Sequence, residues 1–392
     1  LGEPEVFPSK AITAGGTADE VHNIYGHNWS KLIADGYKKD FSNQRPFILM
    51  RSGYSGSQRF GMIPWSGDVS RSWGGLQSQM EISLQLGMQG MAYMHSDLGG
   101  FAGDYFDNEL YLRWLQYGVF NPIFRPHAHE DVAAEIAYKD VDTKAKAKKA
   151  VELRYQMLPY NYTLAYENST SGKPLMRPLF FEEPNDSKLS GKSDGYFWGK
   201  DFLVYPITER SQKNKEVYFP KSSNWYDFYS GKKYLGGTTS IVKTEELSIP
   251  TFVRGNVFYP MTKLVQNTNQ YSNSDLDLHF YYEGKSSSER EFYFDDGKNP
   301  NAVEDNYNHE ILNCSTALSK NLFTITLESK TASKELLSKG KNATIFIYKF
   351  ASQPKSILIN GKKADYKFNS KTKSLEIKYN HSSYKTDIKI TF

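Results

Sequence analysis

Short runs of apolar residues that end in polar ones recur through the first part of the chain and limit the folds open to it. They are RPFILMRS (45–52), GMAYMHSD (90–97) and VFNPIFRPH (119–127). Runs of this kind are typical of parallel strands buried on both faces, and in a parallel barrel the functional groups lie at the carboxyl ends of the strands. We therefore expect an α/β fold in which residues 1–182 form the C-terminal half of a (β/α)8 TIM barrel.

Segments with helical spacing of apolar residues separate these strands. GGLQSQMEISLQLGM (74–88) and DNELYLRWLQYG (107–118) each place apolar residues on one helix face. Residues 143–169 predict a long helix that Pro159 kinks, because proline removes a backbone donor. KPLMRPLFF (173–181) predicts the last strand of the series. This alternation of strands and helices supports the barrel interpretation.

The pattern changes after residue 195 to short β runs separated by turns rich in Gly, Pro and Asn. From about residue 270 the runs alternate apolar and polar residues, as in LFTITLES and SLEIKYN, which is typical of antiparallel sheets with one buried face. NGKK at 360–363 predicts a hairpin turn. We expect antiparallel β-sandwich domains here, a proximal C-terminal β-domain at 183–268 and a distal one at 269–392.

The balance of charges and the cysteine content exclude several classes of protein. Lys and Arg total 48 against 44 Asp and Glu, a net charge of +4, so no large basic field attracts nucleic acid or an anionic membrane. The single Cys314 excludes a disulfide framework and a cysteine-based zinc site. No apolar run reaches the roughly 18 residues of a transmembrane helix. We expect neither nucleic acid nor a membrane as partner.

Two aspartates follow strand ends, and each has two interpretations. Asp68 lies in WSGD beside Trp65, where partial desolvation would raise the pKa of a carboxyl as a general acid requires. The alternative for Asp68 is an ordinary Asx turn. Asp97 lies in HSDLGGF, where the glycines allow close approach and the carboxylate can accept hydrogen bonds from sugar hydroxyls. The alternative for Asp97 is a helix N-cap or a turn.

Arg59 and His127 are candidate donors to the hydroxyls of a ligand, although Arg59 taken alone fits a surface ion pair better. His127, His129 and Glu130 in RPHAHE resemble metal ligands, since alternate residues of an extended strand share a face. No further ligand cluster accompanies them, so we expect no metal. The segment RSGYSGSQ lacks the Lys-Ser/Thr of a P-loop, and Ser52–Gly53 does not form the G-x-S-x-G elbow of serine hydrolases.

Taken together and in order, these motifs resemble glycoside hydrolase family 31, which contains α-glucosidases, α-xylosidases and related transglucosylases. The resemblance rests on RPFILMRSGYSGSQRFGMIPWSGD, on GMAYMHSDLGGFAGDYFDNELYLRWLQYGVFNPIFRPHAHE and on RPLFF. DGYFWGKDFLVYPI, VYFPKSSNWYDFYSGKKYLGG and IPTFVRGNVFYPM resemble the family's proximal β-domain, and REFYFDDGKN resembles the start of its distal one. The resemblance covers nearly the whole chain and implies an α-linked oligosaccharide substrate and no cofactor.

The resemblance also assigns roles to residues that match the family's motifs. Asp68 occupies the position of the general acid/base in W-x-G-D. The remaining matches bind or surround the sugar: Arg59, Trp65, Asp97, Phe101 and His127. His95 is a departure, because members often carry Gly or another small residue there, and it leaves the detail of the pocket rim open.

The family's nucleophile is the aspartate of a W-x-D-x-x-E motif, and Leu1, Gly2 and Glu3 match the tail of that motif. We expect the nucleophile immediately before Leu1, with Glu3 beside it in the catalytic centre. The expected partner is the N-terminal half of the barrel, and this chain alone is expected to be inactive. The implied mechanism retains configuration and needs two carboxyl groups roughly 5–5.5 Å apart.

We favour an α-glucosidase that removes terminal α-linked glucose from oligosaccharides through a glycosyl-enzyme intermediate. A 4-α-glucosyl transferase, an α-xylosidase and an α-galactosidase of the same fold stay open, because one sequence does not resolve glycone and acceptor contacts. From another class, a catalytically incomplete carbohydrate-binding fragment also stays open. Five retained groups exceed what binding alone needs: Arg59, Trp65, Asp68, Asp97 and His127. The compartment is undetermined, and the periplasm or exterior of a bacterium is one interpretation.

Overall fold

The computed structural model describes residues 8–285, 287–304, 309–334, 336 and 340–392. The helices in these ranges are α1 (Ala18–Val21), α2 (Tyr25–Asp40), α3 (Trp73–Met88), α4 (Asn108–Val119), α5 (Val141–Gln156), α6 (Leu158–Ser171) and α7 (Leu179–Glu182). None of the helices in the described ranges is both long and apolar enough to cross a membrane.

The strands are β1 (Ile12–Thr13), β2 (Gly16–Thr17), β3 (Ile48–Met50), β4 (Met62–Pro64), β5 (Met176–Pro178), β6 (Tyr196–Trp198), β7 (Phe202–Val204), β8 (Asn214–Tyr218), β9 (Trp225–Asp227), β10 (Lys233–Tyr234), β11 (Thr239–Lys243), β12 (Thr251–Arg254), β13 (Phe258–Met261), β14 (Asp275–Tyr281), β15 (Ser287–Asp295), β16 (His309–Ser319), β17 (Leu322–Lys330), β18 (Lys341–Tyr348), β19 (Ser356–Ile359), β20 (Lys362–Lys363), β21 (Tyr366–Asn369), β22 (Ser374–His381) and β23 (Lys385–Thr391).

Parallel pairing brings the predicted strand ends side by side. β3 and β4 pair in parallel, with Ile48 opposite Met62. The series continues through single parallel bridges, between Trp65 and His95 and then between Leu98 and Pro126. The regular strands predicted at 90–97 and 119–127 are absent. Each segment keeps one parallel bridge, at His95 and at Pro126, whereas residues 92–93 form a turn and Val119 is the last residue of α4. The polar ends of four neighbouring segments come together at one edge, as a parallel barrel requires.

Side-chain caps fix where the helices between these segments begin. Ser72 accepts a hydrogen bond from the backbone N–H of Gly75 at 3.0 Å at the start of α3, and Asp140 does the same for Thr143 at the start of α5. The predicted long helix at 143–169 is two helices, α5 and α6, that meet at Met157. Pro159 lies in the first turn of α6, where its missing N–H breaks no helical hydrogen bond.

The strand predicted as the last of the barrel series belongs to a different sheet. β5 pairs antiparallel with β6, and the two form one edge of a six-stranded sheet of order β10-β9-β12-β7-β6-β5. A strand that follows a helix can join either sheet, and local sequence does not encode its pairing partner. The proposed division at residue 182 stays a prediction, and it falls beyond a strand that already belongs to the β-rich part.

Two packed sheets form the C-terminal part of the chain. Their orders are β13-β14-β18-β22-β21 and β15-β16-β17-β23-β19-β20, and the core between them includes Phe280 and Phe323, whose ring centroids lie 5.8 Å apart. The hairpin predicted at NGKK is confirmed, with Asn360 and Gly361 both at positive φ between β19 and β20.

One strand pair of this sandwich differs from the expected antiparallel pairing. β14 and β18 run parallel along their whole length. The chain leaves the first sheet after β14, builds three strands of the other sheet, and returns beside β14 in the same direction. β13 also pairs with β14, so the proposed division at residue 268 separates two hydrogen-bonded strands.

Candidate active site

Asp68 lies in a tight turn directly after β4. Gly67 has a φ of +76°, and a Cβ at that position would lie 2.5 Å from Nε of Arg51, so the guanidinium packs on the bare turn. Nη1 of Arg51 lies 3.5 Å from Oδ1 of Asp68, and the Asp68 side chain keeps 51% of its exposure. The expected desolvation of Asp68 by Trp65 is therefore not seen, because the turn projects the carboxyl into solvent beside Arg51.

Asp97 is the buried carboxylate of the site. Its residue exposure is 1%, and Nη2 of Arg125 donates a hydrogen bond to its Oδ1. Oδ2 of Asp97 is buried and has no hydrogen-bond partner. Burial raises the pKa of Asp97 above its usual value, the charges of Arg125 and His127 oppose that shift, and nearby Asp68 adds to it. A buried carboxylate oxygen without a hydrogen-bond partner costs free energy unless a ligand donates a hydrogen bond to it.

Arg125 is held from three sides. Its Nη2 donates to Asp97, its Nε lies 3.4 Å from Nε2 of His95, and its guanidinium carbon lies 5.8 Å from the ring centroid of Trp65. His95 is fully buried, and burial together with the charge of Arg125 lowers its pKa to about 4. The imidazole is therefore neutral near pH 7.

The ring of Phe101 lies between those of His127 and His129, two histidines that follow the segment end carrying Arg125. Its ring centroid is 5.6 Å from that of His127 and 5.7 Å from that of His129. His127 is exposed, whereas Nδ1 of His129 contacts Asp131 at 2.8 Å. Within the described part of the chain, no group of three or more His, Cys, Asp or Glu side chains is arranged to hold a metal ion.

The remaining predicted residues are Arg59, Trp65 and Glu3, and among the contacts of the described residues only those of Trp65 reach this centre. Arg59 lies in the short 3₁₀ helix Ser57–Phe60, exposed, with its guanidinium carbon 4.9 Å from the ring centroid of Phe60. It donates no hydrogen bond to another described residue. Trp65 is half-buried and faces Arg125. Glu3 lies outside the described residues.

The structure thus combines an exposed carboxyl, Asp68, with a buried one, Asp97, on adjacent strand ends. The first is placed to exchange protons with a ligand or with water, and the second presents one fixed, unpaired acceptor oxygen. Phe101 and His127 add an aromatic face and a ring nitrogen beside that acceptor. Hydroxyl-rich ligands with apolar ring faces suit such a combination.

Three residues to which our sequence analysis gave no role in the site are central to it: Arg51, Arg125 and His95. Arg51 and Arg125 lie in the polar ends of the apolar runs RPFILMRS and VFNPIFRPH, and His95 entered only as a departure from the family pattern. The signal for Arg125 was its place at a strand end next to that of Asp97, because parallel neighbours bring such ends together.

Comparison with sequence families gives two adjoining matches. Residues 2–164 match the glycosyl hydrolases family 31 TIM-barrel domain, and residues 172–257 match the glycosyl hydrolase family 31 C-terminal domain. Asp68 and Asp97 lie in the first match. The second begins before β5, in agreement with the membership of β5 in the antiparallel sheet.

Proteins with similar sequences match this chain over only part of their own length. A probable glucan 1,3-alpha-glucosidase of Oryza sativa subsp. japonica is 36% identical over 309 residues, which cover 76% of this chain and 33% of the rice protein. Alpha-glucosidase 2 of Bacillus thermoamyloliquefaciens is 33% identical over 288 residues, covering 72% of this chain and 36% of that protein. The chain thus spans about a third of the length of these relatives.

A solved structure with high similarity is the GH31 dextranase of Flavobacterium johnsoniae complexed with glucose. It superposes with a TM-score of 0.89 at 26% sequence identity, covering 97% of this chain and 50% of the dextranase. The superposition covers both the parallel part and the β-rich part, so their combination is common to the two proteins.

Proposed function

Because this chain belongs to glycoside hydrolase family 31, we propose that it supplies the acid/base and sugar-binding residues of a retaining α-glucosidase. The substrate is an α-linked oligosaccharide from which terminal glucose is removed. The observation that carries the proposal is the pairing of exposed Asp68 with buried Asp97 on adjacent strand ends. The motifs that carry the two aspartates, WSGD and DLGGF, resemble the family's acid/base and sugar-binding motifs.

Asp68 acts twice in this mechanism. It first donates its proton to the oxygen of the leaving sugar while a second carboxylate attacks the anomeric carbon. It then removes a proton from the water that hydrolyses the glycosyl-enzyme, which returns Asp68 to its starting state. Nη1 of Arg51, 3.5 Å from Oδ1, forms an ion pair with the carboxylate between the two steps.

The other residues hold the glucosyl ring. Oδ2 of Asp97 accepts hydrogen bonds from ring hydroxyls, because its partner oxygen is already occupied by Arg125. His127 and Arg59 are the exposed donors to sugar hydroxyls, and Phe101 and Trp65 offer aromatic faces to the sugar ring. Fixed polar groups of this kind orient the anomeric carbon towards Asp68.

The proposal is tested with the protein that carries this sequence and a pair of matched aspartate variants. Asp68→Asn removes the proposed acid/base, whereas Asp104→Asn removes an exposed aspartate on a nearby loop. Hydrolysis is measured on maltose, whose sugar leaving group needs a proton, and on p-nitrophenyl α-glucoside, whose leaving group needs it less. We expect Asp68→Asn to lose roughly 10²–10⁴-fold on maltose and less on the aryl glucoside, with Asp104→Asn close to wild type.

Two further readouts separate the alternatives. Proton NMR of the first product reports whether the α configuration is retained, and sodium azide restores turnover of the aryl glucoside by Asp68→Asn if the missing function is a base. Equal loss in both aspartate variants would reject the role of Asp68. Turnover of α-xyloside or α-galactoside but not α-glucoside would reject the glucosidase, and oligosaccharides longer than the substrate would indicate a transferase.

A further inference from the structure

The partners of His95 fix which of its ring nitrogens carries the proton. Nδ1 lies 3.3 Å from the backbone oxygen of Tyr93, which can only accept. Nε2 lies 3.4 Å from Nε of Arg125, which can only donate. The neutral imidazole therefore carries its proton on Nδ1 and offers the lone pair of Nε2 to Arg125.

This contact orients the guanidinium. With Nε directed at His95 and the face of the group near Trp65, Nη2 points at Oδ1 of Asp97. Arg125 keeps 25% of its side-chain exposure, so without these contacts it could turn towards solvent. A planar guanidinium held at two nitrogens has little freedom left, and it occupies one oxygen of Asp97 only.

We infer that His95 is a positioning residue that holds Arg125, and through it Asp97, so that Oδ2 of Asp97 stays free for a sugar hydroxyl. The inference rests on the proposed function for the identity of the ligand. His95 stands at a position where members of the family often carry glycine or another small residue. His95 touches no ligand in this scheme and acts only through Arg125.

Two amide variants divide the imidazole into its two functions. The side-chain amide of His95→Gln reaches the position of Nε2 and can accept from Arg125. The shorter amide of His95→Asn reaches only the position of Nδ1 and keeps the contact with Tyr93. Both are polar, uncharged and smaller than histidine, so packing loss is shared and the contact with Arg125 is the difference between them.

Steady-state kinetics on p-nitrophenyl α-glucoside then gives the main test. We expect His95→Asn to raise KM roughly tenfold with little change in kcat, because Asp97 binds its hydroxyl similarly in ground and transition states. His95→Gln is expected to restore most of that loss. If the two variants have equal KM values, the imidazole is packing only and the inference is overturned.

A measurement on the wild-type protein separates this inference from the proposed function. Nitrogen-15 NMR of labelled histidine is expected to show His95 neutral with the proton on Nδ1, and labelled arginine to show slow exchange of the Arg125 Nε proton. The other tautomer or a freely exchanging proton would overturn the inference even if glucoside is hydrolysed. Absence of α-glucoside turnover with the expected spectra would reject the proposed function and leave the positioning contact established.

Discussion

Arg290 and Asp201 form a buried ion pair that joins the sandwich to the sheet before it. Nε of Arg290, in β15, lies 2.9 Å from Oδ2 of Asp201, in the turn between β6 and β7, and the two side chains keep 5% and 1% of their exposure. The same guanidinium donates through Nη1 to Glu167 of α6. One cation therefore connects the helical part and both β-rich parts of the chain.

Replacing that cation is expected to be costly. Arg290→Met leaves buried Asp201 without its cation and half-buried Glu167 with one cation fewer. Breaking a buried pair from one side costs about 3–5 kcal/mol. The free energy of unfolding in urea measures the loss. Arg210→Met is the matched control, since Arg210 keeps 67% of its exposure at 3.6 Å from Asp107 and should change stability by less than about 0.5 kcal/mol. Similar losses of unfolding free energy in Arg290→Met and Arg210→Met would show that the buried ion pair does not stabilise the protein more than an exposed one.

A second buried pair should tolerate joint replacement. Nζ of Lys341 lies 2.6 Å from Oε2 of Glu310 between the two sheets of the sandwich, and both side chains are buried. Lys341→Met alone is expected to cost about 3–5 kcal/mol, because Glu310 is left charged without its cation. Lys341→Met combined with Glu310→Gln removes both charges and should recover most of that loss in urea unfolding. A double variant no more stable than the single one would show that the pair is not what limits stability.

Stability should also fall on mild acidification because of His279. This residue stacks between Tyr259 and Phe346, with centroids 5.0 Å away on each side, and burial lowers its pKa to about 3. The unfolded chain takes up the proton near pH 6.5, so between pH 6.5 and 3 the unfolded state binds more protons and stability falls as pH falls. His279 alone accounts for about 2 kcal/mol between pH 7.5 and 5.0.

Urea unfolding at pH 7.5 and at pH 5.0 measures this pH dependence of the unfolding free energy. His279→Phe keeps the aromatic stack and should reduce the difference in unfolding free energy between pH 7.5 and 5.0 by about 2 kcal/mol. Tyr348→Phe is the control, since it removes only the hydroxyl 2.8 Å from Nδ1 of His279 and keeps the imidazole. An unchanged pH dependence in His279→Phe would mean that another group dominates it.

Local patterns predicted the elements that depend on local forces. β3, α3 and the turn at Asn360 and Gly361 follow from an apolar run, a helical spacing and a pair of residues that tolerate positive φ, and all three are present. The parallel pairing of β14 with β18 was missed because alternation of apolar and polar residues reports a buried face and carries no information on strand direction.

The candidate site was predictable in its positions and not in its contacts. That the ends carrying Asp97 and Arg125 would meet follows from neighbouring parallel segments. The ion pairs of the site are different, because they depend on side-chain directions that spacing along the chain does not fix. Arg125 pairs with Asp97, and Arg51 faces Asp68. The desolvation expected for Asp68 failed for the same reason.

The turn at Gly67 offers a test of the contact between Arg51 and Asp68. Gly67→Ala would place a Cβ 2.5 Å from Nε of Arg51 at a φ of +76°, so it should displace Arg51 and lower kcat/KM for p-nitrophenyl α-glucoside roughly tenfold. Gly172→Ala is the matched control, because Gly172 has a φ of +72° with no atom within 4 Å of its Cβ position. Both variants should lose about 1–2 kcal/mol of unfolding free energy from backbone strain, and only Gly67→Ala should lose activity. Full activity in Gly67→Ala would mean that Arg51 does not support Asp68.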